Sequence, residues 1–78
     1  MTDLKQTLID IAEAIVDTPE EVTVVSEEDG DTVNLTLSVA PDDMGKVIGR
    51  HGRIAKALRT VMKAAATSVN KKVTVEIK

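Results

Sequence analysis

Apolar residues recur along this chain with two different periods. Leu4, Leu8, Ile11, Ala12 and Ile15 fall at i, i+4, i+7, i+8 and i+11 within residues 3–16. That spacing lines one stripe of a helix and predicts an amphipathic α-helix. Thr2 or Asp3 stands where its N-cap is needed, and Pro19 lies just past its end. The period then drops to two. Val33, Leu35, Leu37 and Val39 alternate with Asn34, Thr36 and Ser38 over residues 32–40, which predicts a strand with one buried face. A second strand over 21–28 centres on Val22, Thr23, Val24 and Val25. Asp29-Gly30-Asp31 separates the two with a glycine able to take positive φ, so an antiparallel hairpin is expected.

The second half returns to helical spacing. Pro41 stops the second strand, and Asp42 or Asp43 can cap a short helix over about 43–48. Gly49-Arg50-His51-Gly52 interrupts it. A longer helix is expected over 53–69, with Ile54, Leu58, Val61, Met62, Ala65 and Val69 as its core face and Asn70 as a left-handed terminator. Val73, Val75 and Ile77 then alternate with Thr74, Glu76 and Lys78 in a last strand. The order α-β-β-α-α-β implies an α+β fold. A three-stranded mixed sheet with all three helices on one face satisfies the single apolar side of each element. The connection from second to third strand passes through two helices, which permits parallel pairing along a right-handed path. Neither a repeat nor a linker divides the 78 residues, so one domain over 1–78 is expected.

Composition removes several classes of function. A chain this short buries only about 60% of its unfolded surface. It has no Cys, so neither disulfides nor thiolate ligands can staple it, and one histidine, His51, makes no zinc site alone. Core packing or a partner chain must hold it, and no cofactor is implied. No apolar run approaches the roughly 18 residues of a membrane span, and the first residues lack a signal-peptide pattern. The cytoplasm is the expected location. The absence of Phe, Tyr and Trp excludes nucleic-acid binding by base stacking on aromatic rings. With no Cys, and no Ser placed to pair with His51, a nucleophilic triad finds no support, and the chain is not expected to be an enzyme. The acidic run Glu27-Glu28-Asp29-Gly30-Asp31 lacks calcium-loop spacing and reads as a solvated hairpin tip.

The net charge of −3 conceals a strong asymmetry. Residues 1–43 hold twelve acids and a single base, Lys5; residues 44–78 hold nine bases and a single acid, Glu76. A local basic surface governs phosphate contact more than the total does, so the second half is a candidate for a polyanion. A solvated basic helix face is the plain alternative.

The basic half contains Gly45-Lys46-Val47-Ile48-Gly49-Arg50-His51-Gly52. It does not fit a Walker A loop, because three residues rather than four separate Gly45 and Gly49, and Arg50 follows. Nor does it fit a dinucleotide fingerprint, because it lies between helices. What remains is a four-residue G-x-x-G turn. Two glycines let another backbone approach closely. Amides at the start of the next helix are expected to point outward, unpaired, with the positive end of the helix dipole behind them. Lys46, Arg50, His51, Arg53 and Lys56 surround that turn, which could hold a sugar–phosphate backbone.

Together, Val47-Ile48-Gly49-Arg50-His51-Gly52-Arg53-Ile54 and the element order resemble the KH domain in its type II, prokaryotic form. That domain clamps about four nucleotides of single-stranded nucleic acid. The stretch from Gly45 to Val61 resembles more particularly the small stand-alone bacterial KH proteins of the KhpA, or YlqC, family. The resemblance covers essentially the whole chain. It implies a single-stranded RNA-binding protein, an RNA chaperone or post-transcriptional regulator with effects on cell shape. It further implies pairing with itself or with a larger KH protein of the KhpB kind. Gly49 and Gly52 would be the glycines of the clamp, and Arg50 and His51 its variable middle. Val47, Ile48 and Ile54 would stand at the aliphatic positions around it, facing either the groove or the core. An adaptor that uses the fold mainly to dimerise is the alternative; two joined domains gain avidity that one lacks.

Overall fold

The computed structural model describes residues 3–78. Its elements follow the expected order: α1 (Leu4–Ile15), β1 (Thr23–Asp29), β2 (Thr32–Ser38), α2 (Met44–Ile48), α3 (Arg53–Thr67) and β3 (Lys72–Ile77). Three 3₁₀ turns, Pro19–Glu21, Pro41–Asp43 and Arg50–Gly52, join them. Thr2, one of the two candidate caps of α1, lies outside the described residues. Asp3 caps the helix, its carboxylate accepting from the Gln6 N–H at 3.2 Å.

Strand β2 is central. It pairs antiparallel with β1 and parallel with β3, in the order β1-β2-β3. Leu35 sits opposite Ser26 on one side and Val75 on the other. The alternation read from the sequence is realised: Val33, Leu35 and Leu37 are buried while Asn34, Thr36 and Ser38 are not. Leu4, Leu8 and Ala12 of α1 and Leu58, Met62 and Ala66 of α3 close over that face with Val24 and Val75. The first strand begins two residues later than expected, because Pro19–Glu21 forms a 3₁₀ turn instead of extending it. Gly30 takes φ +63° in the hairpin turn.

Helix α3 departs from its expected burial. Its inward face is Ala55, Leu58, Met62 and Ala66; Ile54 and Val61 stand 38% and 49% exposed. The two long central side chains, Leu58 and Met62, fill the space over the sheet. Alanines occupy the flanking inward positions and let the helix lie close. Ile54 and Val61 are thereby rolled out of the core. The helix also stops at Thr67, two residues early. Asn70 takes φ +60°, the Lys71 N–H donates to the Ala66 carbonyl at 2.9 Å, and the Asn70 N–H donates to Thr67 at 3.1 Å. That pair of bonds is a Schellman closure built on asparagine rather than glycine. No described helix is long and apolar enough to cross a membrane.

The roll of α3 can be tested by truncation. Met62→Ala should cost about 2–5 kcal/mol in urea unfolding. Val61→Ala, one residue away but exposed, should cost less than about 1 kcal/mol. Equal losses would put the helix back in the orientation its hydrophobic pattern suggests.

Candidate nucleic-acid interface

The G-x-x-G turn is held by a dihedral requirement and a close contact. Gly49 has φ +75° with ψ 174°, a conformation essentially confined to glycine, and Gly52 has φ +73° with ψ 15°, the left-handed region that costs an L-residue roughly 1–2 kcal/mol. At Gly49 the space is closed as well: a Cβ there would lie 2.9 Å from Cβ of Ile54. At Gly52 nothing lies near such a Cβ. Between them His51 is itself left-handed, at φ +57°. The chain thus turns through two successive left-handed residues before α3 begins.

Part of the expected amide array is consumed by the turn. The Gly52 N–H donates to the Gly49 carbonyl at 3.2 Å, and the Arg53 N–H donates to Arg50. The N–H groups of Arg50 and His51, at the tip, are the ones this closure does not use. Both side chains are exposed, as are those of Arg53 and Lys56.

A buried carboxylate supports the turn from below. Asp43 is only 2% exposed, and it does not cap α2 with its side chain as the sequence suggested. Its two oxygens instead accept from the N–H groups of Asp17 at 3.2 Å and Thr18 at 3.0 Å. These are the amides left over just past the end of α1. One residue thereby ties the start of α2, and the loop beyond it, to the end of α1. Lys46 adds an exposed tie over the same junction, donating to the Asp17 carboxylate. That hydrogen bond raises the pKa of Lys46 above its ordinary value.

The ten candidate residues therefore separate. Arg50, His51, Arg53 and Lys56 form the exposed basic set around Gly49 and Gly52. Ile48 and Ile54, both 38% exposed, flank the turn at the surface. Val47 is fully buried and belongs to the core. Lys46 is exposed but already carries Asp17 as its partner.

The structure adds residues the motif did not indicate. Arg59 and Lys63 of α3 and residues 73–77 of β3 line an open groove of ≈ 560 Å³. The Arg59 Nε donates to the Val75 carbonyl at 3.1 Å across it. Lys56, Arg59 and Lys63 follow one another at i, i+3 and i+7. That periodicity of charge was the available signal; it marks a basic stripe down one flank of α3, starting beside the turn.

A three-stranded mixed sheet covered by three helices, with a G-x-x-G turn between the second and third, defines the chain as a KH-type domain. A model of the KhpA/KhpB KH domain matches residues 5–77. The chain is 57% identical over 74 residues to RNA-binding protein KhpA of Clostridium acetobutylicum, covering 95% of this chain and 99% of that one. It is 54% identical to its counterpart in Clostridium perfringens, with the same coverage, and 40% identical to that of Listeria monocytogenes. The chain belongs to the KhpA/KhpB family of KH domains. The name its relatives carry is that of a binding protein, not of an enzyme, in agreement with the sequence reading. The fold also matches part of Aquifex aeolicus Era in a crystal structure bound to GDP and tetrafluoroaluminate. The TM-score is 0.69 at 15% identity, over 95% of this chain and 29% of Era.

The supports of the turn have separable effects. Asp43→Ala leaves two amides without acceptors and should cost about 1–3 kcal/mol in thermal unfolding. Gly52→Ala should cost about 1–2 kcal/mol, from its dihedral alone. Gly49→Ala should cost distinctly more, because Ile54 must also move. A Gly49→Ala loss no larger than that of Gly52→Ala would show that Ile54 yields freely.

Proposed function

We propose that this protein binds single-stranded RNA and acts as an RNA chaperone or post-transcriptional regulator. The observation that carries the reading is the exposed basic set Arg50, His51, Arg53 and Lys56 around a turn whose two glycines keep the backbone bare. A phosphate at the tip meets the amides of Arg50 and His51 and the cations around them. Ile48 and Ile54 offer an aliphatic surface beside it, suited to bases in a chain that has no aromatic ring. The groove along α3 and β3 extends the path, with Arg59 and Lys63 as further cations. The relatives' name agrees with RNA as the ligand. Lys46 plays a conditional part, since a phosphate must compete with Asp17 for it. The expected setting is the cytoplasm.

Self-association, or pairing with a KhpB-like KH protein, is a second reading that one observation favours. Val61 is 49% exposed on the outer side of α3, near the small residues Ala57 and Ala64. Small neighbours let two helices approach closely, and burying Val61 supplies the apolar contact.

Two measurements test these readings. With three to five phosphates contacted, log K for a single-stranded RNA should fall against log salt with a slope of about −2 to −3.5. The double variant Arg50→Asp/His51→Asp keeps both glycines and should retain the parent's melting temperature while losing at least about tenfold in affinity. Parental affinity in that variant, or a flat salt response, makes the turn purely structural. For assembly, the expected result is a dimer in sedimentation that Val61→Glu converts to a folded monomer. A parent that stays monomeric at high concentration, even with a KhpB-like partner, removes the second reading.

A further inference from the structure

The open edge of β3 carries a feature that bears on which base is accepted, granted the RNA-binding reading above. The Lys72 N–H donates to Asp31 and the Lys78 N–H to Leu37, within the parallel register that sets Val75 opposite Leu35. In a parallel ladder alternate residues address the same neighbour. Residues 72, 74, 76 and 78 therefore turn their backbone groups towards β2. Val73, Val75 and Ile77 turn theirs the other way, into the groove beneath Arg59 and Lys63. A bare strand edge of this kind offers a donor and an acceptor from each outward residue. At Val75, the centre of that row, the acceptor is taken: the Arg59 Nε donates to its carbonyl at 3.1 Å. The Val75 N–H remains directed into the groove, and the guanidinium retains four of its five N–H donors. The edge has been changed locally from a mixed donor–acceptor pair to a cluster of donors.

We propose that Arg59 is a specificity-determining residue that plugs the Val75 carbonyl and so selects guanine over adenine at this position of the groove. Every edge of adenine that uses its amino group presents a donor beside an acceptor, N6–H with N1 or with N7. Set against Val75 and Arg59, that amino group meets other donors and finds its acceptor occupied. Guanine presents two adjacent acceptors, O6 and N7, which a guanidinium reads in bidentate fashion. Lys63, further along α3, supplies charge but does not touch the carbonyl, so it contributes to affinity without choosing a base.

The test uses uridine heptamers carrying a single central G or A, titrated by fluorescence anisotropy into the full chain. The parent should bind the G strand at least about fivefold more tightly than the A strand. Arg59→Met keeps the stem, removes every donor and releases the carbonyl. Its affinity should fall for both strands, and the G-over-A ratio should collapse towards one or invert. Arg59→Lys keeps charge and stem without the planar fork, and its ratio should also fall; it serves if the methionine variant does not fold. Lys63→Met is the charge control, weaker on both strands with the parental ratio. An unchanged ratio in the folded Arg59 variants, or a parent that prefers the A strand, overturns the plug and leaves RNA binding standing. A parent that binds neither strand overturns the RNA-binding reading and the plug with it.

Discussion

The burial of one face of β2 is the constraint on which the rest of the molecule depends. Val33, Leu35 and Leu37 are at most 3% exposed, and the two long helices, α1 and α3, and both neighbouring strands share one core cluster with them. A register slip of one residue would exchange them for Asn34, Thr36 and Ser38, so the hydrophobic pattern admits a single alignment. Among the described residues, the buried members of the core that results are Leu, Val, Ala and Met, with Ile9, Ile11, Ile15 and Ile77 among the partly buried side chains packed against them. Because β2 and β3 are adjacent and parallel, the segment between them leaves and re-enters the sheet at fixed points. Its two helices and the turn joining them are therefore carried on a frame anchored at both ends.

Within that frame the turn is braced by three different kinds of force. Asp43 acts through hydrogen bonds in a buried place, where satisfied amides matter most. Ile54 acts through contact, lying where a side chain on residue 49 would go. Lys46 and Asp17 act through charge at the exposed rim, a weaker tie that solvent screens. The acids that dominate the first half of the chain thus take part in holding the basic half in place. Asp17 and Asp43 both belong to that acidic half, and both act on the helix that delivers the turn.

The fold was legible because its signal is periodic. Alternation in β2 and β3, the stripe in α1, and the turn residues Gly30, Pro41 and Asn70 each state a local geometry that the structure keeps. Features that depend on orientation between elements were not legible. Ile54 and Val61 look like core from spacing alone, since spacing identifies an apolar stripe but not which edge of it meets the sheet. Asp43 reads as a helix cap because its neighbours in sequence are helical; its partners, Asp17 and Thr18, are distant in sequence and reach it only through the fold. The glycines of the turn were evident, but the contact of Arg59 with Val75 was not. It joins a helix to a strand edge whose outward residues are known only once the parallel register is known.

The contact between Gly49 and Ile54 has an evolutionary consequence. Position 49 is restricted twice, by its dihedral angle and by the side chain five residues on, whereas position 52 is restricted by its dihedral alone. Shrinking residue 54 removes only part of that second restriction, because a Cβ at 49 would still lie 2.9 Å from the Cβ and 3.0 Å from the backbone nitrogen of residue 54. Position 49 is therefore held to glycine by the path of the backbone into α3, whichever side chain residue 54 carries. The second glycine is the one with room to drift, towards asparagine above all.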